Sequence, residues 1–159
     1  MPPTSAEPIH LGPITVTFSV DTEASGGSVT VSRCDVKAGA GMPVAHSHDA
    51  FDETLYGLDG VTTLTLDGED IELGPGDTVC VRRGAVHSFI AKEADVAFLA
   101  IATPGVFGPD YFYEIAEVLR AAGDGPPDPA AIGAVMLRHG LTPRPNVLPE
   151  ARRFEPCST

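Results

Sequence analysis

The chain has 159 residues, 43% of them hydrophobic, and a formal net charge of -12. That size and apolar content fit one domain with or without an appendage and exclude a chain disordered throughout. The acidic balance argues against nucleic acid and anionic lipid as partners, since both require a basic face.

The three cysteines, Cys34, Cys80 and Cys157, are far apart and include no CxxC pair. This excludes a zinc ribbon or a disulfide scaffold, and buried free thiols in a reducing compartment are the expectation. No charged start precedes a long apolar run, and no stretch approaches the ~18 apolar residues of a membrane span. A cytoplasmic location is therefore expected.

Residues 1–12 hold three prolines and no periodicity, so they predict an irregular arm. Residues 14–20 (ITVTFSV) and 28–36 (SVTVSRCDV) alternate apolar and polar, the pattern of half-buried strands. A glycine-rich loop then leads into VAHSH, and ETLYGL and VTTLTL have strand composition. Asp67-Gly68 is a two-residue hairpin signal, because both positions tolerate positive φ. EDIEL, a GPGD turn, TVCVRR (78–83), GAVHSFIA (84–91) and DVAFLAIAT (95–103) complete about eight strands at short intervals. With 17 glycines and 15 prolines and no helical pattern between the strands, the fold class is all-β, a sandwich or barrel.

The tail changes character. Phe112, Ile115, Ala116, Val118 and Leu119 fall at helical spacing within 109–123, and Gly123 can end that helix. A second helix over 128–140 is predicted, with Asp128 as N-cap and Pro129 in the first turn. The segment after it is expected to be a loose end. The organisation expected is an N-terminal arm (1–13), a barrel (14–103) and a helical extension with its tail (104–159). Whether the helices pack on their own barrel or on a neighbouring subunit stays open.

His46 and His48 stand two apart, so on a strand both imidazoles face the same side. Glu53 follows after a short connection, and His87 lies on a strand beyond the hairpin. Three imidazoles and a carboxylate form a coherent donor set for a divalent metal with one or two positions left for water, oxygen or substrate. The competing reading of Glu53 is an exposed carboxylate beside Asp49 and Asp52. His10 and His139 are expected to be surface or helix-end residues. Phe89 shares parity with His87 and would face the pocket, whereas Tyr56 has the opposite parity to Glu53 and should face outward.

HSHDAFDETLYGLDG (46–60) resembles the first motif of the cupin superfamily: HxH, four residues, Glu, six residues, Gly. GDTVCVRRGAVHSF (76–89) resembles the second through Gly76, Gly84 and His87. The flanking strands extend the likeness to 14–103. It implies a jelly-roll-like cupin barrel with a divalent metal inside, and it puts His46, His48, Glu53 and His87 at the metal-ligand positions. Ala40, Arg82 and Ala91 depart from the family's Gly, Pro and Asn, but none of them removes a ligand. The tail resembles the extension of small bacterial cupins of the quercetin dioxygenase-like group.

The function expected from this is a metal-dependent dioxygenase-type oxidoreductase acting on a small enol or aromatic, flavonol-like substrate. Glu53 would act as ligand and proton acceptor, and the metal would be Fe, Mn, Ni, Co, Cu or Zn. The alternatives are a non-redox isomerase or lyase, in which Arg82 or Arg83 grips an anion, and a binding module without catalysis. A homodimer follows from the resemblance and from unpaired strand edges. No nucleophile elbow, phosphate loop or dinucleotide fingerprint is present.

Overall fold

The computed structural model describes residues 7–42 and 44–144; the first six residues, Cys157 and most of the expected loose end lie outside them. Eleven strands and two helices follow in chain order. The strands are β1 (Ile9–Leu11), β2 (Ile14–Val20), β3 (Thr30–Val36), β4 (His46–His48), β5 (Asp52–Asp59), β6 (Thr62–Leu66), β7 (Glu69–Leu73), β8 (Thr78–Val81), β9 (His87–Ile90), β10 (Val96–Thr103) and β11 (Leu141–Pro143). The helices α1 (Pro109–Ala122) and α2 (Pro129–Arg138) lie between β10 and β11.

The strands form two antiparallel sheets, ordered β1-β2-β3-β10-β5-β8 and β11-β4-β9-β6-β7. Among the described residues no continuous ladder joins them, so the architecture is a jelly-roll-like pair of sheets rather than one closed sheet. Inward-facing residues alternate as the patterns require: on β3, Thr30, Ser32, Cys34 and Val36 are buried and Arg33 is exposed. On β5, Leu55 is buried and Tyr56 exposed. The hairpin at 67–68 joins β6 to β7 with φ of 49° at Asp67 and 86° at Gly68, the left-handed pair of a type I′ turn.

Two short strands replace segments expected to be irregular. Ile9–Leu11 pairs with β2 across a tight Gly12-Pro13 turn, with Leu11 opposite Ile14. Its three residues are too few to show periodicity beside the prolines. At the other end, Leu141–Pro143 pairs with β4, placing Leu141 opposite His48 and Pro143 opposite His46.

Both helices pack on the chain's own barrel. In α1, Tyr111, Phe112 and Ile115 are buried, and Phe112 meets Phe18 of β2 edge to face at 5.6 Å. Gly123 ends this helix at φ 56°. Asp128 caps α2 by accepting a hydrogen bond from the Ala130 amide. A Glu114 carboxylate on α1 accepts from His139 Nε2 at 2.8 Å and pairs with Arg138, which ties the two helices together. No described helix is long and apolar enough to cross a membrane.

Candidate metal centre

β4 is fully buried, with His46, Ser47 and His48 each 2% exposed or less. Period-two alternation turns both imidazoles to the interior. β9 runs antiparallel beside β4 and sets His87 directly opposite His46. The ligand-capable nitrogens of His46, His48 and His87 all lie within 4.8 Å of one another, and the ring centroids are 4.4 to 5.0 Å apart. Ordinary core packing does not gather three imidazoles in this way, and the trio could hold a metal ion.

Glu53 comes from the other sheet. It sits on β5 opposite Val81 and Ala102, and its Oε2 lies 3.5 Å from His87 Nε2 and 3.9 Å from His48 Nε2. The side chain is 12% exposed, so the reading of Glu53 as a solvated carboxylate beside Asp49 and Asp52 does not describe it. Burial alone would push its carboxyl up. The closeness of His87, and then of His48 and His46, outweighs that and holds it below the usual range.

Burial lowers the His46 ring to about 3, helped by the neighbouring imidazoles, and lowers His48 to about 4 against the opposing pull of Glu53. Both rings are therefore neutral at physiological pH, the form that donates a lone pair to a metal. His46 Nδ1 lies 3.3 Å from the Val44 carbonyl, and His87 Nδ1 3.3 Å from the Ala85 carbonyl. Donation from each Nδ1–H leaves the lone pair on Nε2, facing the centre. His48 Nδ1 has no partner among the described residues; its ring is instead stacked on Phe51 at 4.2 Å.

The centre opens on a cavity of ≈80 Å³. Phe89 lines it, with its ring edge-to-face against Phe98 at 5.1 Å. Phe107, Tyr111 and Phe112, from the segment after β10 and from α1, also line it. The sequence did not single these out as site residues. Phe112 carries only a helical-spacing signal, and Phe107 and Tyr111 carry none in the sequence. The Thr30 hydroxyl donates to the Phe107 carbonyl at 2.8 Å and anchors this cap. Cys34 also lines the cavity, its thiol pushed up by burial to about 12, whereas Cys80 is exposed, contrary to the expectation of buried thiols.

Arg82 and Arg83 are absent from the lining. Both are exposed, and Arg83 is engaged with the Asp52 carboxylate. Two of the motif departures meet in space: the Ala91 amide donates to the Ala40 carbonyl, and the Gly39 amide to that of Ala91. These two substitutions thus fall on one backbone junction. His10 is exposed beside Thr15, and His139 belongs to the α1–α2 link.

Two facing antiparallel sheets with a cluster of buried histidines at the mouth of an interior cavity define a jelly-roll protein built around a metal-competent core. Residues 32–102 match the family described as Cupin domain. Residues 32–102 are thus a cupin domain. A quercetin 2,3-dioxygenase from Bacillus subtilis is 36% identical over 66 residues, 42% of this chain and 20% of that protein. The chain thus spans about a fifth of the length of that curated relative.

Three solved structures share the fold at 21–23% identity. KdgF from Halomonas sp. superposes with a TM-score of 0.55 over 62% of this chain and 86% of that one, at 21% identity. The polyketide cyclase RemF from Streptomyces resistomycificus gives 0.55 over 65% and 77%, at 23% identity. A predicted oxalate decarboxylase from Thermotoga maritima gives 0.56 over 63% and 92%, at 22% identity.

Proposed function

We propose that the protein is a metal-dependent enzyme of the dioxygenase type, acting on a small uncharged substrate that bears an enol. One divalent transition metal is held by His46, His48, His87 and Glu53. The observation that carries this reading is the donor set at the edge of an otherwise largely apolar cavity with no lysine or arginine among its described lining residues. When bound, the metal supplies Lewis acidity that makes an enol hydroxyl more acidic, together with a redox centre for oxygen chemistry.

The chain's own residues do the rest. Glu53, kept ionised, accepts the enol proton. The carbonyls of Val44 and Ala85 fix the tautomers of His46 and His87. Phe51 holds the plane of His48, and Phe107, Tyr111 and Phe112 keep water out. A cavity of ≈80 Å³ is well below the roughly 300–1,000 Å³ of drug-sized sites, so it takes a small head group and not a flavonol ring system. The similarity to a quercetin 2,3-dioxygenase supports the oxygen-using class and does not carry its substrate across.

A non-redox isomerase or lyase is the second reading. It is weakened because the arginines that would grip an anion lie outside the lining. A homodimer and a cytoplasmic location belong to the same proposal, with the outer edge of β1 available for pairing.

The test is metal analysis of the full chain purified without added metal, followed by a panel of enols and 1,3-diketones under air and under nitrogen. Oxygen uptake that tracks metal content supports the proposal. Equal turnover under nitrogen with zinc transfers the protein to the second reading, and full metal occupancy without turnover makes it a binding module.

A further inference from the structure

A second concavity lies beside the metal cavity. A groove of ≈380 Å³ runs between the β1–β2 turn, the backbone at Gly41–Met42 and the facing sides of α1 and α2. Ile115, Leu119, Ile132 and Met136 form its far wall, and no described lining residue carries a charge. Leu11, Ile14 and Met42 line both the groove and the metal cavity, so one layer of side chains separates the two.

That layer is anchored on one side. The Met42 amide donates to the Phe89 carbonyl at 2.9 Å. A Cβ on Gly41 would stand 2.3 Å from the same oxygen, so the backbone there presses directly onto β9, the strand that carries His87. With its backbone tied down, the unbranched Met42 side chain supplies the adjustable part of the partition.

We propose that the groove is the chain-binding subsite of the enzyme and that the substrate is an enol head joined to a linear, uncharged aliphatic chain. The head occupies the metal cavity, and the chain crosses Met42 into the groove. This rests on the metal-dependent enol reading of the centre. Three observations support it. The metal cavity is too small for more than a head group. The lining offers no charged partner to a chain ending in carboxylate or phosphate. If each methylene takes about the ≈30 Å³ of a liquid water, the groove volume corresponds to on the order of ten chain carbons. Most of the walls come from residues outside 32–102, so the subsite belongs to this chain's own additions to the cupin domain.

The test separates the groove from the chemistry. Linear 2-alkanones from C4 to C12 are titrated calorimetrically into metal-free protein, and 2,4-diketones of matching chain length are assayed with metal-loaded protein. Affinity of the metal-free protein should climb about three- to fourfold per methylene, to about C10, and then level off. The variant I132W, which fills the groove, should lower affinity for the C8–C10 ketones at least tenfold. V61W, at an exposed position away from both cavities, should leave the series unchanged. Equilibrium sedimentation of the same samples shows whether a second copy occupies the groove.

Affinity independent of chain length, an I132W series identical to wild type, or a dimer that dissociates in I132W while ketone binding persists would each overturn the subsite. A clear ladder in metal-free protein without turnover of any diketone supports the groove and removes the enol reading instead.

Discussion

His46 Nε2 and His48 Nε2 lie 3.1 Å apart in the interior between the two sheets. Two nitrogens each about 2.0–2.1 Å from one metal, at an angle between octahedral and tetrahedral, are separated by about 2.9–3.4 Å. The spacing fits two ligands sharing one ion. The tautomer fixed by Val44 on His46 supports the same geometry.

The first prediction is a stoichiometry of about one divalent transition metal per chain, with H46A and H48A each losing at least about a hundredfold in affinity. Calorimetry and elemental analysis measure both. Saturating metal at about a hundred times Kd should add about 2.7 kcal/mol to the stability of the wild type. Wild-type affinity in either variant would mean that the short distance is incidental.

Glu53 yields a second prediction. Substitution by glutamine keeps the shape of the side chain and removes its charge. If Glu53 is the proton acceptor, E53Q lowers kcat by about 10²–10⁴. Because its ligating oxygen is retained, the variant should still bind metal, more weakly. A kcat within twofold of wild type would assign Glu53 to the metal alone or to neither role.

The sequence was most legible where chemistry and periodicity coincide. HxH on a strand predicts two imidazoles on one face, and β4 presents them so. The Asp67-Gly68 turn and the Asp128 cap follow from local backbone preference alone. What stayed hidden depends on contacts distant in sequence. A three-residue strand such as β11 has no period to detect, and it forms only because β4 offers an edge. Phe107 and Tyr111 go unmarked because nothing local signals the cavity they cover. The sheets also remain two rather than one, since hydrogen bonding between specific edges is not written into alternation.

The depressed histidines set a pH dependence for the metal-free protein. The unfolded chain takes up protons on His46 and His48 near pH 6.5, whereas the folded chain resists until about 3 and 4. Between those values the unfolded state binds more protons, so stability is full above about pH 6.5 and is lost as pH falls toward 4. Each histidine costs up to about 1.4 kcal/mol per pH unit in that window. Glu53, also depressed, adds a further loss of the same sign at the acid end. Urea unfolding at pH 7.5, 6 and 5 reads this directly, and an unchanged midpoint across the three would contradict the burial of neutral rings.

The last prediction concerns β11. β4 has only three residues and a single registered pair with β9, His46 opposite His87. Its other edge is held by β11, where Leu141, 1% exposed, stands opposite His48. L141A leaves a cavity beside the ligand strand and should cost about 2–5 kcal/mol. At about 2–4 °C per kcal/mol, that lowers Tm by roughly 4–20 °C. L137A, at a leucine 62% exposed on α2, removes the same atoms from solvent contact and should stay within about 0.5 kcal/mol. If β11 positions His48 and does not merely fill space, L141A should also weaken metal binding at least tenfold at a temperature where the variant is fully folded. A destabilised L141A with wild-type metal affinity would reduce β11 to core packing and leave Phe51 as the contact that orients His48.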